Sequence, residues 1–156
     1  MGERDKQESY DAVLRNIRAL IAGETDPIAL MATVVCELHH GMAHFDWTGF
    51  YRVVEPGLLK VGPYQGGHGC LQIAFERGVC GAAARSCQTQ LVPDVHAFPG
   101  HIACSSSTRS EIVVPVLSPA GDLVAVLDVD SDQPDSFDDV DRMNLEVVCR
   151  MVGSID

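Results

Sequence analysis

The chain opens on apolar positions at helical spacing. Tyr10, Val13, Leu14, Ile17, Leu20 and Ile21 recur every three to four residues. That period predicts an amphipathic helix over about 11–21, ended by Gly23. Asp26 followed by Pro27 reads as an N-cap and a first helical position. Leu30, Met31, Val34, Val35 and Leu38 then carry a second helix to about Gly41. Beyond it the period changes. Positions 47–54 are rich in aromatic and β-branched residues, as strands are. Glu55-Pro56-Gly57 turns the chain into an antiparallel return over 58–62. A short Ala-rich helix is expected over 80–86 and a short strand over 90–92. A long loop follows over 94–107, with Pro99, Gly100 and a run of serines. Strands over 111–117 and 123–130 flank the turn Pro119-Ala120-Gly121, and a last helix is expected over 138–151. Helices at both ends of an antiparallel sheet predict an α+β domain.

The last hairpin carries the most informative pattern. Side chains alternate faces along a strand, so Asp128 and Asp130 point the same way. A tight turn with Ser118 opposite Gly121 puts Glu111 across from Asp128 and Arg109 across from Asp130. Three carboxyls and one guanidinium would then interrupt a face of Val, Ile, Leu and Ala. An isolated buried charge is costly or shifts its pKa. Two readings stand. The aspartates cap the loop that follows their strand, or they belong to a set of coupled acids, one of which holds a proton near neutral pH. On the first strand, Trp47 and Tyr51 are four residues apart and share a face. They are either ordinary core aromatics or a wall for a small apolar or cationic group. Gly49 between them leaves room for something to approach the backbone.

Composition narrows the function classes. A chain of 156 residues with 46% hydrophobic and 6% aromatic content is expected to fold as one globular domain. Acids outnumber bases 22 to 11, a formal charge of −11 that repels phosphate backbones and argues against nucleic acid. The first ten residues are charged and polar, unlike a signal peptide, and the apolar run 28–36 is too short to span a bilayer. A cytoplasmic protein with no membrane partner is expected. Six cysteines in a reducing compartment are then structural, metal-binding or reactive. No CxxC pair occurs, and His96, His101 and Cys104 match no standard zinc spacing, so no metal is expected. Cys36 and Cys149 sit among apolar residues and read as core. Cys87, at the expected end of the short helix, is uncommitted. Cys70, Cys80 and Cys104 adjoin glycine or a Gly/Ser-rich loop, where chemistry concentrates.

Several motifs together resemble a known family. They are Trp47-Thr48-Gly49-Phe50-Tyr51, Gly62-Pro63-Tyr64-Gln65-Gly66, Cys70 and Gly78-Val79-Cys80-Gly81. The segment from Asp94 through His96, Pro99, Gly100 and His101 to Cys104 follows, then Ser110-Glu111 through Pro115 and Leu127-Asp128-Val129-Asp130-Ser131. The series resembles the free methionine-(R)-sulfoxide reductases, enzymes built on a GAF domain, from about Trp47 to the C-terminus. The resemblance implies a single GAF domain, its terminal helices packed on one side of a central antiparallel sheet. It implies reduction of free methionine sulfoxide with Cys104 as catalytic cysteine and Cys70 as the thiol that resolves a sulfenic acid. Cys80 matches a third cysteine of secondary role. Glu111, Asp128 and Asp130 match the acids that grip the substrate, and Trp47 and Tyr51 the wall around its methyl group. It further implies thioredoxin as reductant, no cofactor, and a monomer or homodimer. Gly69 stands where alanine is usual in the family, and Ser105 where an acidic residue is common. The rival reading is a non-catalytic GAF module that senses a small ligand or redox state.

Overall fold

The computed structural model describes residues 2–101 and 106–155. Helix α1 (Glu3–Ile21) and helix α2 (Pro27–Gly41) lead into strands β1 (Trp47–Glu55), β2 (Leu58–Gln65) and β3 (Gln72–Ala74). Helix α3 (Gly78–Ser86), β4 (Gln90–Val92), a 3₁₀ turn (Val95–Ala97), β5 (Ser110–Leu117), β6 (Leu123–Ser131) and α4 (Asp139–Gly153) complete it. The six strands form one sheet in the order β3-β2-β1-β6-β5-β4, and every pairing is antiparallel. This is the expected α+β GAF architecture.

Strand alternation divides the apolar residues into two cores. Phe50, Ile112, Val114, Val116, Ala125, Leu127 and Val129 face α1, α2 and α4 in the larger cluster. Trp47, Tyr51, Val113 and Val126 face the opposite way, against α3 and the loops, in the smaller one. The terminal helices therefore cover one face, and the other is left for a site. Among the described residues, no helix is long and apolar enough to cross a membrane.

Local chemistry sets the helix ends. The Asp26 carboxylate accepts the Ile28 N–H at 2.9 Å and caps α2 at Pro27, as its sequence predicts. Asp138 and Asp141 form a reciprocal capping box at the start of α4. Helix α1 begins at Glu3, eight residues before the predicted start, because its buried stripe continues through a charge. Lys6 lies one turn before Tyr10, and its ammonium meets Asp141 at 2.7 Å and Asp138 at 3.1 Å. An apolar period cannot register that position. Leu20, placed on the buried face by spacing, is exposed. Cys36 is exposed too, since the buried stripe runs through residues 30, 31, 34, 35 and 38 and misses it. Cys149 is buried as expected. Strand β3 lacks a period long enough to predict.

Candidate active site

The register of β5 and β6 decides which acids meet. Glu111 pairs with Asp130 and Val113 with Asp128, so the partners expected from a tight turn are displaced by two residues. Two irregularities cause this. The turn has one more residue than assumed, with the Ser118 N–H bonded to the Asp122 carbonyl at 2.8 Å. A further one-residue shift falls between Val116 and Leu117. Two single shifts restore the parity of the strand, and the three acids still share a face. Arg109 does not join them: it precedes β5 and is exposed.

β1 lies on the other side of β6, with Trp47 opposite Asp130, Gly49 opposite Asp128 and Tyr51 opposite Val126. One row across the sheet therefore reads Trp47, Asp130, Glu111, Val92. The Trp47 and Tyr51 rings stack with centroids 5.8 Å apart. Tyr64 of β2 stacks against Trp47 at 5.3 Å, a contact that no period in the sequence signals. The Trp47 Nε1–H donates to the Gly67 carbonyl at 2.7 Å and fixes the indole plane. Contrary to the expectation, Gly49 does not open the backbone to a ligand; the Trp47 ring and the Tyr64 Cβ fill the space its side chain would need.

The aromatic pair and the acids line one pocket, shared with Cys80 and Val79 from the first turn of α3, and with His68, Gly69, His101 and Thr108. The helix start is tied to the following loop by the bond from the Gly78 N–H to the Gly100 carbonyl at 3.0 Å. Alternation on β1, β5 and β6 could find the acids and the aromatic pair. Only the fold brings His68 and Thr108 to them.

Electrostatics distinguish this pocket from ordinary core. Glu111, Asp128 and Asp130 are all held well above the usual carboxylate range, first by burial and then by one another's charge. Three such carboxyls crowded together favour forms that keep protons, and the Cys80 thiol lies close beside Glu111 and Asp128. Burial and the neighbouring acids also push the Cys80 thiol up, away from a thiolate. Among the described residues, the buried Oδ1 atoms of Asp128 and Asp130 have no hydrogen-bond partner. Unsatisfied buried oxygens beside a pocket are acceptor or donor positions left for a ligand. The Cys80 sulfur and one oxygen each of Glu111 and Asp128 lie within 4.8 Å of one another, a spacing a cation could bridge. Carboxyls that retain protons suit such an ion poorly.

His101 packs near His96, with ring centroids 6.2 Å apart. Burial and His96 lower its pKa, so it is a neutral ring at neutral pH and a poor source of positive charge for a thiolate. Cys104, the expected nucleophile, lies outside the described residues. The nearest lining residues on either side of it in sequence, His101 and Thr108, both belong to this pocket. Cys70 is half-buried against the same apolar cluster as Cys80; among the described residues the free thiols are Cys36, Cys80, Cys87 and Cys149, and Cys70 is not one of them.

Comparison with known proteins agrees with this architecture. A family model described as "GAF domain" matches residues 7–155. GAF domain-containing protein A of Dictyostelium discoideum is 44% identical over 149 residues, which cover 96% of this chain and 93% of that protein. Free methionine-R-sulfoxide reductase of Escherichia coli K12 is 40% identical over 141 residues, 90% of this chain and 84% of that protein. Among solved structures, free methionine-R-sulfoxide reductase from Neisseria meningitidis, in complex with its substrate, superposes with a TM-score of 0.87. Its identity is 40%, over 92% of this chain and 86% of that one.

Proposed function

From a chain that belongs to the GAF-domain family, and from the pocket it carries, we propose a reductase of free methionine-(R)-sulfoxide. The observation that carries this reading is the buried acid trio Glu111, Asp128 and Asp130 lining one pocket with the Trp47–Tyr51 wall. The names of close relatives support the substrate.

Methionine sulfoxide presents an oxygen that accepts hydrogen bonds well, a sulfur and a methyl group. The trio offers protons to the oxygen in a water-poor site, where general-acid help is worth most. The aromatic wall holds the methyl group. The first-turn N–H groups of α3, at Val79 and Cys80, suit the carboxylate of a free amino acid. Peptide-bound sulfoxide carries no such carboxylate and is disfavoured.

In this reading Cys104 supplies the nucleophile, since Cys80 is buried with its thiol pushed up. The Cys104 sulfur attacks the sulfoxide sulfur while the trio protonates the oxygen; the hydroxyl then passes to the Cys104 sulfur as the substrate S–O bond and the transient S–S bond break. Methionine leaves reduced by two electrons, and Cys104 is left oxidised by two as a sulfenic acid. The Cys70 thiol displaces that hydroxyl as water and closes a disulfide. A dithiol of the thioredoxin class reopens it by exchange and leaves oxidised. Cys80 lines the pocket beside Asp128 and, as a third thiol, relays part of the recycling.

The test is methionine released per enzyme without reductant. Cys104→Ser should release none, because a hydroxyl is a far poorer nucleophile than a thiol. Cys70→Ser should release one equivalent and stop as a trappable sulfenic acid. A burst that survives in Cys104→Ser and vanishes in Cys80→Ser would move the nucleophile to Cys80. A protein that binds the sulfoxide and never reduces it would be a sensor.

A further inference from the structure

The Trp47 indole is seated on glycines. A Cβ at Gly49 would fall inside contact distance of Cη2, and one at Gly66 would lie 3.0 Å from Cδ1. At Gly69 it would lie 2.8 Å from Trp47 Cζ2 and 2.9 Å from the Tyr51 hydroxyl oxygen. Gly69 differs from Gly66, whose φ of +110° itself calls for glycine. The backbone at Gly69 is outside the left-handed region, so an L side chain fits its conformation and only the space is lacking. Gly69, Trp47 and Tyr51 all line the pocket.

The indole has little freedom elsewhere. Its Nε1–H is bonded to the Gly67 carbonyl, Tyr64 stacks on it, and Gly49 and Gly66 touch two other edges. A methyl group at position 69 would have to move the two rings by several tenths of an ångström, and the open side is the pocket. The bare Gly69 backbone lets both rings lie back from the ligand.

We infer that Gly69 is a specificity-determining residue: its missing side chain deepens the alkyl pocket and admits free amino-acid sulfoxides with an S-ethyl group. The inference rests on the reductase reading above for its substrate class. Removing or adding one methylene of space in a fitted pocket changes specificity by about 10–200-fold.

The experiment compares methionine sulfoxide with its S-ethyl homologue, both R at sulfur, in wild type and Gly69→Ala. Wild type should use the ethyl substrate with kcat/KM within about tenfold of the methyl one. Gly69→Ala should lower the ethyl-to-methyl ratio by about tenfold or more, with the methyl kcat changed far less. An unchanged ratio in Gly69→Ala overturns the inference. So does a wild type that rejects the ethyl homologue by about a hundredfold, a result that needs no variant to fold. Trp47→Phe removes the indole atoms a Cβ would strike and leaves the Tyr51 hydroxyl, so adding Gly69→Ala to it should lower the ratio by clearly less than Gly69→Ala does alone. An equal loss in the double variant would refute the route through the indole. Trp47 is the single tryptophan and lines the pocket, so its fluorescence reports binding separately from turnover. If neither sulfoxide is reduced, the reductase reading fails, while the ratio of the two dissociation constants still decides the role of Gly69.

Discussion

Asp141→Asn should be among the most destabilising single-atom changes in this chain. Asp141 is fully buried where α4 meets α1. Its Oδ1 accepts from the Tyr10 hydroxyl at 2.6 Å and from His44 Nε2 at 2.8 Å. Its Oδ2 accepts from the Lys6 ammonium at 2.7 Å and the Asp138 N–H at 2.9 Å. An amide has one oxygen, so in either orientation it loses two of these four donors and turns an NH2 toward them. Each lost bond involves a charged group, worth about 1.5–3 kcal/mol, and breaking a buried pair costs about 3–5 kcal/mol. Lys6 keeps Asp138 and the Ser136 carbonyl, which argues for about 4 kcal/mol rather than the sum of the upper values. In a domain of this size that loss lowers Tm by roughly 8–16 °C. The sign with pH also follows. Burial alone would raise the Asp141 pKa, and the bonds from His44, Lys6 and Tyr10 overcome it and hold the carboxyl well below its ordinary range. Its stabilisation is complete above the unfolded value, about 4, and is lost as pH falls toward the folded one. Urea unfolding of wild type and variant at several pH values checks both claims. The gap should narrow in acid. A loss under about 1 kcal/mol at neutral pH, or a gap independent of pH, would refute the reasoning.

The acid trio should behave in the opposite way. Its folded pKa values are raised, so its contribution is complete below the unfolded carboxylate values and is lost as pH rises through the folded ones. Asp128→Asn should therefore flatten the alkaline loss of stability and raise Tm at pH 8 while sulfoxide reduction collapses; a variant less stable than wild type there would count against protonated acids. The cysteines should separate by burial. Cys36→Ser, on an exposed face, should change stability by less than about 0.5 kcal/mol in chemical denaturation. Cys149→Ser, buried against the Val114 carbonyl, should cost about 1–3 kcal/mol.

What could be read from sequence follows the physics of each signal. Asp26-Pro27 placed the start of α2 because an N-cap is a local interaction between a side chain and its own helix. The start of α1 was missed because Lys6 is buried by partners far away in sequence. The acids were found on one face because alternation depends on parity alone. Their pairing was misjudged because it depends on the length of one turn and on a bulge, and neither leaves a clear residue signature. Gly49 looks like an opening in sequence, which shows a missing side chain and not the Trp47 ring that fills the gap. Cys36 lay among apolar residues, yet a helix presents every residue to some face, and its own face is outside.

The two buried acid clusters differ in a way that separates structure from function. Asp141 has four donors for its two oxygens, two of them basic side chains, and it leaves no oxygen unsatisfied. Such a carboxylate is pushed toward ionisation and holds α1, α4 and the loop after α2 to one another. The pocket acids have no Lys or Arg among their lining neighbours, face each other instead, and leave two oxygens without a partner among the described residues. Burial and mutual repulsion then force protons onto them, at a cost in stability that grows with pH. Packing alone gives no reason to keep three acids there, since apolar residues of similar size would remove that cost. A ligand that accepts protons while fitting an aromatic wall does give one. The helix-covered face of the sheet, with its larger core and balanced ion pairs, supplies the stability that lets the opposite face hold an unbalanced site.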